Sequence, residues 1–343
     1  TTMGSGKYTA HWTGDNAATW DDLKASITTM NTLALFGMPI TGADICGFMM
    51  NTTEELCARW ISAGAFYPFS RDHSGLGTAP QELYLWDSVT EAAKNALGMR
   101  YQLLPYLYTL FYQANTAGAT VARALWMNFP ADTTALTIAS QFMLGDAVLV
   151  SPVLTPGATS VDAYFPQGLW YDFKARSLAI DASGAPVTKV LHTPLTATNV
   201  HVLGGNILPL QESALTTTAG RQTPFTLLTA LCPQGKAHGS LFWDDGEQVK
   251  LSAYLGVSYT AQFVEGTGAF TSVVTNNNYA GAQSNSVGTI TVMWTSALAA
   301  PRSAVLNGRP LLPAQIVHDR VKHTVSFVDL GLKLTHEINL TWK

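Results

Sequence analysis

Hydrophobic and polar positions follow two different periods along the 343-residue chain, and the change of period divides it. Over residues 1–138 the apolar positions recur every three to four residues in several stretches. Leu23, Ile27, Met30 and Ala34 share one face of a helix predicted over 20–36. Thr52-Thr-Glu-Glu55 has the form of a capping box and opens a second helix running to about Ala63. A longer helix is expected over 87–114, carrying Leu103, Leu107, Leu110 and Phe111, with Pro105 bending it. Short apolar runs at 7–12, 38–41 and 120–126 read as strands between them. Such alternation of strand and helix belongs to a parallel sheet or barrel.

After about residue 139 the helical period stops. Short β-like runs follow at 147–154, 160–165, 169–173 and 199–210, punctuated by Gly and Pro. The same texture continues at 225–231, 240–244, 258–263, 289–294, 324–328 and 337–342. These runs predict two antiparallel β-sandwich domains, 139–217 and 218–343, divided in the lull at 215–222. The α/β part is too small to close. A (β/α)₈ barrel takes roughly 250 residues, and three parallel strands cannot bury both faces of their sheet. Residues 1–138 are therefore expected to be the C-terminal portion of a (β/α)₈ barrel that begins elsewhere.

Composition narrows the function classes. Hydrophobic residues make up 47% of the chain and charged residues 12%, which excludes a disordered linker. The net charge of −4 and the absence of basic runs argue against nucleic acid as a partner. No run of ~18 apolar residues is long enough to span a bilayer as a helix. Cys46, Cys57 and Cys232 allow one disulfide and one leftover thiol. Asn51-Thr-Thr and Asn339-Leu-Thr are glycosylation sequons, which carry meaning only in the secretory pathway. The opening Thr-Thr-Met-Gly-Ser-Gly, without initiator Met or leader, reads as a processed product or an excised fragment.

The candidate chemistry clusters in the α/β part. His11-Trp-Thr-Gly-Asp15-Asn sets a carboxylate just past a strand, and Gly42-Ala-Asp44-Ile-Cys-Gly-Phe48 does so again. Barrel enzymes mount catalytic groups at these strand ends. Phe69-Ser-Arg71-Asp-His73 lies in the loop after the second helix and adds two hydrogen-bond donors. Carboxylic acids, aromatic walls from Trp12 and Phe48, and donors fitted to hydroxyls point to a sugar site. In isolation Asp15 reads equally as a helix-capping aspartate.

Longer motifs decide between these readings. Besides those above, Gly64-Ala-Phe-Tyr-Pro-Phe-Ser-Arg71, Arg100-Tyr-Gln-Leu-Leu-Pro-Tyr-Leu-Tyr108, Val150-Ser-Pro-Val-Leu154, Gly204-Gly-Asn-Ile-Leu-Pro209 and Leu241-Phe-Trp-Asp-Asp-Gly-Glu247 stand in order along residues 1–250. Together they resemble the family 31 glycoside hydrolases, in particular their maltase and lysosomal acid α-glucosidase branch. The resemblance fades over the last ninety residues. It implies a retaining mechanism with two aspartates, of which Asp15 is the general acid/base. The family's nucleophile belongs to a Trp-x-Asp-Met-Asn-Glu segment that these 343 residues do not contain.

By the same resemblance, Trp12, Asp44, Ile45, Phe48, Arg71 and His73 line the sugar subsite, with Asp44 and Arg71 open to acting as a supporting ion pair instead. Cys46 and Cys57 match the family's disulfide, and Cys232 is either free or bonded to an absent segment. The family's arginine before the acid motif would fall immediately before Thr1, where a trypsin-like protease cuts. The expected partner is therefore the N-terminal chain of the same precursor, bearing the nucleophile. The expected substrate is a terminal α-glucoside, and the expected compartment is the secretory pathway, lysosomal, vacuolar or secreted. No cofactor and no metal are expected.

Competing readings are an α-xylosidase, a glycoprotein-trimming α-glucosidase or a non-catalytic carbohydrate-binding subunit. Asp244-Asp-Gly246 is a turn rather than a calcium site. His318, His323 and His336 lack metal-ligand spacing. Trp126, Trp170, Trp243 and Trp294 suit strand cores.

Overall fold

The computed structural model describes residues 4–295 and 300–343; Thr1, the end left by the expected cleavage, lies outside them. The chain divides into two compact units. The first contains Thr1–Arg100, Leu110–Pro166 and Pro186–His201, and the second contains Tyr101–Thr109, Gln167–Ala185 and Val202–Lys343.

In the first unit strands and helices alternate. Strand β1 (His11–Trp12) leads to helix α1 (Trp20–Leu35). Thr19 caps α1 by accepting the Asp22 N–H, and Asp21 and Asp22 complement the positive end of the helix dipole. The predicted stripe Leu23, Ile27, Met30 and Ala34 is buried. Strands β2 (Thr41–Gly42) and β3 (Asp44–Ile45) follow, then helix α2 (Glu54–Gly64), capped by the Thr53 hydroxyl. Strand β4 (Arg71–Asp72) precedes the long helix α3 (Asp87–Ala117), which Gly118 ends in a left-handed conformation.

β1 pairs in parallel with β2, and β3 in parallel with β4. Gly42 is required for this spacing, because a Cβ there would stand 1.9 Å from the Phe69 carbonyl oxygen. Pro105 sits inside α3 and cannot donate to the preceding turn. In the preceding turn the Gln102 carbonyl accepts the Gln211 N–H at 3.2 Å.

Three expectations shift. The run 7–12 is extended only at His11–Trp12, and Ser5–Lys7 forms a 3₁₀ turn. Arg71–Asp72, expected in a loop, is a strand that supplies the parallel partner of β3. The run 120–126 is not a further parallel strand. Ala122–Arg123 pairs antiparallel with Phe142–Leu144, and the chain turns helical at Leu125–Asn128. These strands are two residues long. An apolar run therefore reports burial there and not strand direction, and a polar pair such as Arg-Asp gives no strand signal.

The second unit is built on a twelve-stranded sheet. It is largely antiparallel, with Phe225–Ala230 and Ser286–Met293 paired in parallel. The strand Thr324–Phe327 and the strand Asn339–Trp342 are seven positions apart in the sheet order, which would be about 30 Å or more in a flat sheet. Yet the Phe327 and Trp342 rings lie 5.1 Å apart. The sheet therefore folds over onto itself as a sandwich, closed on a core of Phe225, Trp243, Tyr259, Phe270, Phe327 and Trp342. The expected division at 217 separates Asn206–Leu210 from Phe225–Ala230, two strands that pair directly. Asp244 accepts from the Gly246 N–H at 2.8 Å, the turn expected of Asp-Asp-Gly.

Candidate active site

Asp15 stands in the tight turn between β1 and α1. Gly14 takes a φ of 84° there, and the Asn16 N–H closes on the Gly14 carbonyl at 2.8 Å. The Thr13 N–H donates to the Gly42 carbonyl at 3.0 Å. The Ala17 N–H donates to the Asp22 carboxylate. With its backbone held on both sides, Asp15 presents an exposed carboxylate beyond the C-terminal end of a parallel strand.

The next residue couples this turn to β3. The Asn16 amide donates to the Asp44 carbonyl at 2.9 Å and accepts the Asp44 N–H at 3.0 Å. The Asn16 carbonyl accepts the Phe48 and Met49 N–H groups at 2.7 and 3.1 Å. Asn16 was legible only as part of the aspartate motif, without a role of its own.

Asp44 is fully buried. Its Oδ1 accepts from Arg71 Nε at 2.9 Å and from Arg71 Nη2, across the β3–β4 register. Its Oδ2 is buried with no hydrogen-bond partner. Burial raises the Asp44 pKa above the ordinary carboxylate value, and the Arg71 bond and charge oppose that rise. His73 also lowers it, and Asp15 raises it, so both lie within electrostatic reach of this carboxyl. One Asp44 oxygen is thus ion-paired, and the other is a buried acceptor without a partner.

Arg71 is flanked by the Trp12 and Phe69 rings, 5.8 and 5.2 Å from their centroids. Trp12 is exposed. The Phe48 and His73 rings lie 5.1 Å apart, and the Gly75 N–H holds the Phe48 carbonyl at 2.8 Å. Ile45, expected among the sugar contacts, packs toward α2. It is buried, with its side chain closely opposite Gly64 of α2, because successive strand residues point to opposite faces.

Cys46 and Cys57 form a disulfide with 4.4 Å between Cα atoms, pinning the β3–α2 turn. Gly47 in this turn takes a φ of 98° and lies against Ala18. Cys232 is free. The sequon residues Asn51 and Asn339 are both exposed.

Gln81 had no signal in the sequence. It is buried in the segment following β4. Its Nε2 lies 3.2 Å from the Ile45 carbonyl, 2.8 Å from Asp72 Oδ1 and 3.2 Å from the His73 carbonyl. Burial raises the Asp72 pKa, and the Gln81 bond opposes it. Among the described residues no cluster of three or more His, Cys, Asp and Glu is arranged to hold a metal. No helix of the described residues is long and apolar enough to cross a membrane.

Comparison with known proteins gives two family matches. Residues 1–110 match the glycosyl hydrolases family 31 TIM-barrel domain, and residues 118–208 match the glycosyl hydrolase family 31 C-terminal domain. A probable alpha-glucosidase of Oryza sativa subsp. japonica is 52% identical over 309 residues, covering 88% of this chain and 35% of its own length. An alpha-xylosidase of Arabidopsis thaliana is 46% identical over 272 residues, covering 78% of this chain and 30% of its own length. The crystal structure of a glucosidase II alpha subunit superimposes with a TM-score of 0.87 at 26% identity, covering 97% of this chain and 38% of that one. The chain thus spans about a third of the length of the relatives it matches.

Proposed function

Because the chain belongs to the glycosyl hydrolases of family 31, holding the C-terminal portion of their barrel followed by β domains, we propose that it supplies the acid/base half of a retaining α-glucosidase site. The substrate class is terminal α-linked glucose of maltose- or glycogen-like chains. One observation carries the reading: a pinned, exposed Asp15 at a barrel strand end, within electrostatic reach of a buried Asp44 whose second oxygen is unpartnered.

In this mechanism protonated Asp15 gives its proton to the glycosidic oxygen as the bond to the anomeric carbon breaks. A second carboxylate attacks that carbon from the opposite face, about 5–5.5 Å from Asp15, and forms the glycosyl-enzyme. Asp15, now ionised, takes a proton from the water that releases the sugar with retention. The second carboxylate belongs to a segment outside these 343 residues, which we assign to the N-terminal chain of the same precursor. Trp12 and Phe48 wall the sugar and the exposed His73 binds its hydroxyls, while the buried Asp44–Arg71 pair supports the strand ends beneath them. The disulfide and the two exposed sequons fit a secretory, lysosomal or vacuolar compartment.

Asp15→Asn in the protein assembled with its nucleophile-bearing segment tests this. Maltose hydrolysis should fall about 10²- to 10⁴-fold in kcat/KM. A dinitrophenyl α-glucoside, whose leaving group needs no proton, should keep most of its kcat/KM. Equal losses on both substrates would remove Asp15 from the acid role. Similarity to the Arabidopsis alpha-xylosidase favours a second reading, α-xyloside hydrolysis. The ratio of kcat/KM for nitrophenyl α-glucoside and α-xyloside separates the two.

A further inference from the structure

We propose that Gln81 is a positioning residue of this site, holding the ends of β3 and β4 and the His73 backbone in the register that sugar binding requires. The inference rests on the acid/base reading above and adds a residue to it. Three groups surround the Gln81 amide nitrogen: the Ile45 carbonyl, the Asp72 carboxylate and the His73 carbonyl. All three are acceptors, so the surroundings dictate the amide's orientation; the –NH₂ must face them.

The consequence of that orientation is visible at the other end of the amide, where Gln81 Oε1 is buried without a partner. A buried acceptor left unsatisfied is costly, and the donors on the other side of the amide offset that cost. Ile45 follows Asp44 directly, and Asp72 follows Arg71. The single amide therefore bridges the two strands immediately beside the Asp44–Arg71 pair.

The segment carrying Gln81 is tied to the β3–α2 turn at two more points. The Ala79 N–H donates to Asn51 Oδ1 at 2.7 Å, and the Gly75 N–H donates to the Phe48 carbonyl at 2.8 Å. These contacts fix where the segment runs, whereas Gln81 fixes where His73 starts. Loss of its donors would release the His73 carbonyl from the ends of β3 and β4, and a displacement of about 1 Å at such a group is enough to lower turnover by up to a hundredfold.

Two substitutions of similar size test the idea on the assembled protein. Gln81→Met removes the donors and should lower kcat/KM about ten- to a hundredfold at every pH. Gln81→Glu replaces the –NH₂ with a group that donates only when protonated. The amide touches the Asp72 carboxylate and the Ile45 and His73 carbonyls, and the charges acting on that carboxylate are Glu82, Asp44 and His73, with Arg71 paired to Asp44; the touching carboxylate and the two carbonyls all disfavour a carboxylate at position 81. Its kcat/KM relative to the native protein should therefore be nearest normal at acid pH and fall as pH rises, while the Gln81→Met ratio stays flat. Unfolding midpoints measured at the same pH values show whether each variant is folded, and the glutamate variant carries the test if the methionine variant is not.

Variants that lower only the unfolding midpoint, with kcat/KM and its pH profile unchanged, would overturn the proposal. The Asp15→Asn control separates the two claims. If that variant still hydrolyses maltose, the acid/base reading fails. If it is inactive while both Gln81 variants behave as native, the positioning role alone fails.

Discussion

Removing Arg71 should cost more stability than removing the charge it neutralises, and the structure sets both the order and the size. Asp44 is 0% exposed, with one oxygen bonded only to Arg71 and the other unpartnered. In Arg71→Met the carboxylate keeps its burial and loses its counter-charge. Breaking a buried pair this way costs about 3–5 kcal/mol. Arg71 itself is 37% exposed along its side chain, so water already screens part of the pair and the cost should fall near the lower end, about 3 kcal/mol. In Asp44→Asn the orphan is instead an arginine that water can reach, and about 1–2 kcal/mol is expected.

The double variant should be less destabilised than the sum of the two. The pH dependence has a definite sign. Burial raises the folded Asp44 pKa above the ordinary carboxylate value, so the folded state holds the proton more tightly than the unfolded chain does. The stability this adds is full below the unfolded pKa and is lost as pH rises through the folded one. Arg71→Met raises that folded pKa further, so its deficit should widen from acid to neutral pH. Urea unfolding of the native, single and double variants across that range measures all of this. A larger cost for Asp44→Asn than for Arg71→Met, or an Arg71→Met deficit that shrinks toward neutral pH, would refute the buried-pair argument.

Intact mass with thiol labelling should find one reactive cysteine, Cys232, before reduction and three after, and protein from a secretory host should carry glycan mass on Asn51 and Asn339. Replacing Cys46 and Cys57 by serine should lower stability by roughly 2–3 kcal/mol. In the second unit, Phe327→Ala should cost about 3–5 kcal/mol in urea unfolding, since its ring is fully buried and meets Trp342 across the folded sheet; a cost below about 1 kcal/mol would contradict that layering.

Much of this protein is written in local pattern. The face of α1, the threonine-led start of α2 (one residue later than the box at 52–55 would place it), the long helix through Pro105 and the change to β structure after 139 all follow from residues within a few positions of one another. The motifs around Asp15, Asp44 and Arg71 are likewise continuous, which is why the family resemblance and the candidate site residues are legible in the sequence. Cys46 and Cys57 were read as a pair through that resemblance.

Other features depend on contacts between distant residues. β4 gives no strand signal, because two polar residues become a strand only by pairing with β3. Ile45 turns away from Asp44 although it is its neighbour, since strand geometry alternates faces. Asn16 and Gln81 act through backbone groups 28 and 36 positions away, and a backbone carbonyl is identical in every residue, so no side-chain pattern marks their targets. The same holds for the large sheet, whose fold-over brings Phe327 onto Trp342 and joins Asn206–Leu210 to Phe225–Ala230 across the expected boundary. Sequence determined the family, the three long helices and the motifs that hold the candidate chemistry. Tertiary structure alone decided which strands adjoin and which buried amides hold the site in register, because hydrogen bonding between strands depends on distance in space and not along the chain.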